Sequence, residues 1–235
     1  MTSISPEEQT ATTGAFPAGL THTAYAAFSV PSGLPDGDRG ALASEVLSAI
    51  GGQDGVALRG TYDVSGYRQD ADILFWLAAP GPDELQRTLS AIRRTQLGRA
   101  LHPFWSAIGV HREAEFSKSH VPAYFAGEEP KKYVCAYPFV RTHDWYLLEP
   151  DVRRQLLMEH GMMGRDYADV RANTVSAFGL GDYEWLLAFE ADDLTRIVDL
   201  IRHLRGAEAR RYTSNELPFI TGQRRPLADI LADLP

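Results

Sequence analysis

Short runs of strand-like residues alternate with amphipathic stretches along this chain, and the same order occurs twice. In the first half, "HTAYAAFSV" (22–30), "VALRGTYDV" (56–64), "DILFWLAA" (72–79) and "HPFWSAIGVHR" (102–112) read as strands. The segments 38–50 and "PDELQRTLSAIRRTQ" (82–96) read as helices. Gly51-Gly52 and Pro80-Gly81-Pro82 punctuate them, and Asp83 and Glu84 fall in a first helical turn, where carboxylates complement the dipole. In the second half, "KYVCAYPFVR" (132–141), "NTVSAFGL" (173–180) and "EWLLAFEA" (184–191) are the strands. Segments 150–167 and "DDLTRIVDLIRHLR" (192–205) are the helices, and "RRYTSNELPFITG" (210–222) is extended.

At one constant offset, Trp76 falls on Trp185, Asp83 on Asp192, Leu85 on Leu194 and Ile92 on Ile201. The repeat predicts an α+β fold of tandem ferredoxin-like βαββαβ units, each a four-stranded antiparallel sheet with helices on one face. Two such sheets close toward a barrel of the dimeric α/β-barrel type and leave one face of each for a ligand. The plan is a polar arm (1–20), an N-terminal half (21–112), a linker "EAEFSKSHVPAYFAGEEPKK" (113–132) and a C-terminal half (133–235). A linker of this length in a compact protein is more often functional than idle.

Composition narrows the class. The 235 residues are 44% hydrophobic, enough for a substantial core. A net charge of −8 leaves no basic excess for nucleic acid or an anionic membrane. The single cysteine, Cys135, excludes an internal disulfide framework and fits a reducing compartment. The first twenty residues have neither a basic nor an apolar region of a secretory signal, and no stretch approaches the ~18 apolar residues of a membrane span. A soluble, cytoplasmic protein is expected.

No G-x-S-x-G, Walker loop, G-x-G-x-x-G or Cys-x-x-Cys occurs, so candidate chemistry rests on individual side chains. Among the seven histidines, His111 shares a strand side with Glu113 and Glu115, a possible divalent-metal set whose plainer reading is a solvated strand end. His160 stands out: Leu156, His160, Met163 and Tyr167 form one helical stripe, with Gly161 and Gly164 removing bulk beside it. An imidazole there is either an axial iron ligand of a flat porphyrin or a hydrogen-bonded core histidine, and the segment alone favours the second. Met162 and Met163 read as packing. In "KYVCAYPFVR", alternation puts Tyr133, Cys135, Tyr137, Phe139 and Arg141 on one face, with Tyr137 and Arg141 roughly 13 Å apart. That span suits a large planar ligand with anionic groups at its rim. Pro138 removes a ladder amide, which predicts an edge or a bulge.

The order "YPFVRTHDWY" (137–146), "HGMMGRDY" (160–167) and "RRYTSNELPFITG" (210–222) within a doubled ferredoxin-like chain resembles the coproheme decarboxylases. These are the haem-biosynthetic branch of the chlorite dismutase-like superfamily, and the match is nearest their actinobacterial form. The resemblance covers nearly the whole chain after the arm. It implies that His160 is the proximal iron ligand, that Tyr137 becomes the radical that attacks the substrate, and that His120 is the distal histidine. It further implies that Arg141 and Arg165 lie near the porphyrin carboxylates, that Trp145 lies beside the reacting edge, and that Asn173 is a polar contact. The implied assembly is a homopentamer. The implied reaction uses hydrogen peroxide to decarboxylate two propionates of iron coproporphyrin III (coproheme, both substrate and redox cofactor). It yields haem b through a three-propionate intermediate. His120, titrating near neutrality, would shuttle the peroxide proton. Arg141 and Arg165 would hold carboxylates by charge-assisted hydrogen bonds. The rivals are a chlorite dismutase or haem peroxidase on the same fold, and a cofactor-free α/β-barrel module in which His160 is core.

Overall fold

A computed structural model describes residues 15–116 and 121–235. The first half runs β1 (His22–Ser29), α1 (Arg39–Gly51), β2 (Ala57–Asp63), β3 (Ile73–Ala79), α2 (Pro82–Arg94), α3 (Gln96–Ala100) and β4 (His102–Val110). The second runs β5 (Tyr133–Arg141), α4 (His143–Leu147), α5 (Pro150–Gly164), β6 (Arg171–Ser176), β7 (Trp185–Ala191), α6 (Leu194–Leu204), β8 (Thr213–Asn215), β9 (Ile220–Arg224) and α7 (Leu227–Asp233). The first half orders its strands β4-β1-β3-β2 and the second β6-β7-β5-β9, the same antiparallel arrangement twice. Seams at β2–β9 and β4–β6 close eight of the nine strands into a barrel, and β8 extends the end of β5.

Alternation along the strands assigns their faces. Tyr25, Leu74, Trp76, Val134, Ala136, Val175 and Leu186 fill the barrel interior. Phe28, Ile73, Phe75 and Leu77 point outward against α1, α2, α3 and α7. Cys135, Tyr137 and Phe189 point outward from the second sheet, toward Ile197 and Leu200 of α6. "ILFWLAA" is therefore covered on both faces, as its unbroken apolar run requires. The two sheets pack their inner faces into one core, so the face each leaves for other contacts is the outer one.

Several local expectations are corrected. Matching strand starts pairs Ile73 with Trp185, so Trp76 corresponds to Ala188, both inside the barrel. The identity-based offset was out of register by an odd number, which exchanges faces. The strand expected at 173–180 is displaced to Arg171–Ser176, and Gly179, with φ +75°, belongs to the turn that follows. The helix at 150–167 gives way at Arg165–Tyr167 to a 3₁₀ turn. The segment 210–222 is not one strand but a 3₁₀ turn (Glu208–Tyr212), β8 and the start of β9. Pro138 falls at a local edge of the sheet, because it pairs with Leu186 on one side only. On the other side, β9 pairing ends at Ala136 and β8 pairing begins at Val140, so the missing amide falls in the gap.

Among the described residues, the barrel core holds one ion pair. Arg59 and Glu190 are fully buried, with Nη2 to Oε2 at 2.6 Å. The guanidinium lies over the Phe16 and Trp76 rings at 4.9 and 5.0 Å and donates to the Glu128 carbonyl at 2.9 Å. Asn173 completes this cluster. Its Nδ2 donates to Glu190 Oε2 at 3.1 Å and to the Ala188 carbonyl at 3.0 Å, and its Oδ1 accepts the Tyr124 amide at 2.8 Å. The cluster thus ties β2, β6, β7 and the 121–132 segment together. A buried pair of this kind gains little over apolar packing, but breaking it exposes the full desolvation cost.

Asn173 was expected to contact the porphyrin. It faces the barrel interior, whereas Tyr137 faces outward, so the two cannot line one pocket. Asn173→Ala should lower unfolding stability by about 1–3 kcal/mol, through buried partners left unsatisfied. It should leave porphyrin affinity and the Soret position unchanged, and denaturant melts beside a porphyrin titration read both quantities.

Candidate porphyrin site on the outer face of the second sheet

β5 sets one wall. Tyr137 is only 6% exposed, with its ring 4.5 Å from Phe219 and 6.1 Å from Phe189 between centroids. Burial pushes the phenol well above its usual range, and neighbouring Cys135 and the Glu216 carboxylate push the same way against Arg205 and Arg210. The hydroxyl therefore keeps its proton throughout the physiological range. Glu216 draws two cations together beside it, with Arg205 Nη1 at 2.7 Å and Arg210 Nη1 at 2.5 Å. Sequence reading missed these three residues, whose spacing along the chain conceals one cluster.

At the end of β5, Arg141 is held on several sides. Its guanidinium lies 4.0 Å from the Trp145 ring and 4.5 Å from Phe139, and its Nη1 donates to the Ala209 carbonyl at 2.9 Å. Burial lowers its pKa to about 10, which leaves it charged at neutral pH. Trp145 is buried under Arg141 and packs against Tyr212 at 5.7 Å. Its ring supports the guanidinium.

α5 packs against α6 and the 3₁₀ turn at Glu208–Tyr212, and its burial is unusual. Leu156, Leu157, His160, Met163 and Gly164 share its inward face and all are half-buried; no residue of the helix is fully buried. Met158 and Met162 point outward at 60% and 56% exposure. An apolar stripe turned toward the protein but incompletely covered leaves room for a flat apolar ligand. A Cβ added at Gly161 or Gly164 meets nothing within 4 Å; Gly161 is exposed to solvent, and Gly164 lies on the half-buried inward side. Arg165 is exposed at the C-cap of the same helix.

The donor chemistry fits an iron porphyrin. Such a metal brings its own four nitrogens and asks the protein for one imidazole, an apolar slot and cations at the rim. His160, the inward stripe of α5, Arg141 and the Arg205–Arg210 pair offer those groups. Among the described residues, no three His, Cys, Asp or Glu side chains gather to hold a bare metal ion. The His111–Glu113–Glu115 set is not one: the His111 ring packs on Phe125 at 4.2 Å and Glu115 pairs with Arg153 at 2.6 Å. His120 lies outside the described residues. On either side of that stretch, Phe116 lies under Arg154 of α5 at 5.3 Å, and the Ala123 amide donates to the Ala172 carbonyl of β6. A separate cavity of about 240 Å³ lies between β4 and the 177–183 turn, lined by Phe104, Trp105, Leu180 and Tyr183, and none of the candidate residues borders it. No helix among the described residues is long and apolar enough to cross a membrane.

Comparison with known proteins identifies the family and the fold. The chain is 52% identical over 214 residues to a coproheme decarboxylase of Mycolicibacterium smegmatis, covering 90% of this chain and 93% of the relative. It is 28% identical over 181 residues to a coproheme decarboxylase of Staphylococcus carnosus, covering 70% and 72%. The fold superposes on the chlorite dismutase of Candidatus Nitrospira defluvii with a TM-score of 0.80 at 21% identity, over 96% and 97% of the two chains. The family model for chlorite dismutase matches residues 39–225, from the first residue of α1 to just past β9. The fold is thus shared with solved members of that group, and this chain belongs to the chlorite dismutase family.

Proposed function

We propose that this chain is a coproheme decarboxylase, using hydrogen peroxide to remove carbon dioxide from two propionates of iron coproporphyrin III and so make haem b. The observation that carries the reading is the 52% identity, across almost the full length of both chains, to the mycobacterial coproheme decarboxylase. The site supports it with residues of the required kinds. A cytoplasmic homopentamer is part of the same proposal, and sedimentation velocity reads the assembly state.

With peroxide, the bound iron porphyrin supplies the oxidising equivalents. Converting one propionate to a vinyl group releases carbon dioxide, one proton and two electrons, and one peroxide takes up those electrons, that proton and one more from solvent as it becomes two waters. His160 presents a ring nitrogen to the iron, and the inward face of α5 excludes water from the macrocycle. Tyr137 carries a protonated phenol in an apolar setting, so it gives up its electron and proton together. Its oxygen then takes a hydrogen from the propionate β-carbon, and loss of carbon dioxide and one further electron leaves the vinyl group. Arg141, charged and clamped, grips a carboxylate and fixes which propionate faces Tyr137. Arg165 has the charge for a rim contact from the end of α5. His120 is assigned the peroxide proton transfer on its chemistry alone.

The test mixes purified protein with iron coproporphyrin, adds peroxide stepwise, and follows the pigment by chromatography and mass. Two successive decarboxylations are expected. Oxygen release from chlorite with intact propionates would make the chain a dismutase, and an unchanged Soret band on mixing would remove the porphyrin site.

A further inference from the structure

Beyond the residues already assigned, Glu184 occupies an unexpected position. It immediately precedes β7, and the β5–β7 ladder has its last pair at Phe139 and Trp185. Arg141 lies two residues further along β5, past the reach of that ladder, where its half-buried amide would lack a strand partner on this side. The Glu184 carboxylate takes that place: Oε2 accepts the Arg141 amide at 2.8 Å. The same oxygen accepts the Tyr146 hydroxyl at 2.6 Å. Tyr146 belongs to α4, the short helix that carries Trp145, whose ring stacks on the Arg141 guanidinium. One carboxylate oxygen therefore joins the backbone of Arg141 to the helix that supports its side chain.

We propose that Glu184 is a positioning residue for the carboxylate clamp, fixing Arg141 and Trp145 relative to each other so that the guanidinium meets a substrate carboxylate in one orientation. The inference rests on the reading of Arg141 as a propionate ligand. Glu184 touches neither substrate nor iron. Its action passes through the amide of Arg141 and the phenol of Tyr146. A five-residue helix such as α4 has too few internal hydrogen bonds to hold its own orientation, so a strong external bond matters more here than on a long helix. Charge-assisted bonds to a carboxylate are about twice as strong as neutral ones.

The test measures coproheme affinity by Soret titration, and steady-state turnover, for the full chain and five variants, Arg141→Ala among them. Glu184→Ala should weaken binding and raise KM about tenfold, as for loss of a charge-assisted bond, with kcat less affected and more three-propionate intermediate released. Glu184→Gln keeps an oxygen that accepts both donors and should recover most of the loss. Tyr146→Phe removes one of the two bonds and should give a smaller change, about threefold, in a protein that folds normally. The decisive arm is the double variant: on an Arg141→Ala background, Glu184→Ala should change binding no further, because the group it positions is gone. Parent-like affinity of Glu184→Ala and Tyr146→Phe, or an undiminished effect on the Arg141→Ala background, would overturn the inference. Because the titration needs no turnover, a parent protein that binds coproheme but does not decarboxylate it would sink the proposed reaction while leaving this comparison intact.

Discussion

Tyr137→Phe is expected to bind iron coproporphyrin with the parent's affinity and to release no haem b and no three-propionate intermediate. The substitution removes a single oxygen from a ring already packed on Phe219 and Phe189, so the surrounding apolar cluster keeps its shape. Binding, which uses the imidazole, the slot and the cations, should hardly change. Turnover should fall by at least ~1,000-fold, because a benzene ring has no O–H to surrender and no oxygen to receive hydrogen from carbon. The elevated phenol pKa adds a second expectation. In the parent, no loss of activity from ionisation of this hydroxyl should occur between pH 6 and about pH 9, since burial keeps it protonated. Single-turnover absorbance and mass analysis of the pigment check both. Decarboxylation by the phenylalanine variant at the parent rate would remove Tyr137 from the chemistry.

His160→Ala should have the next largest effect. Without the imidazole the Soret band should shift toward that of iron porphyrin lacking an axial nitrogen, and affinity should fall at least about tenfold. Added imidazole should restore the spectrum. Gly161 and Gly164 carry no side chain that would crowd a free ring beside position 160. A variant with the parent's spectrum, unaffected by added imidazole, would mean that position 160 does not meet the iron.

These two residues also show how far sequence alone reached. The βαββαβ order was legible twice because helix and strand periods differ, and because Gly51-Gly52 and Pro80-Gly81-Pro82 mark the breaks. The register between the halves was not, since identical residues such as Trp76 and Trp185 occupy opposite faces. Alternation placed Tyr137 and Cys135 on one outward face, because β5 obeys a strict period of two. Asn173 misled because polarity does not reveal which side of a sheet a residue faces. Its partners, Glu190 and Tyr124, are remote in sequence and meet it only inside the closed barrel. The Arg205–Glu216–Arg210 cluster and the Glu184 bonds were hidden for the same reason. The short α4 and α7 lack the length that makes a helical period visible.

The account stands on where the porphyrin lies. A crystal structure of the protein soaked with iron coproporphyrin tests this most directly. The expected result is the macrocycle between the inward face of α5 and the outward face of β5, with a His160 ring nitrogen bonded to iron and a propionate at the Tyr137 hydroxyl. Pigment seated elsewhere, such as the cavity beside Trp105 and Tyr183, with the His160 ring turned away from any iron, would contradict it.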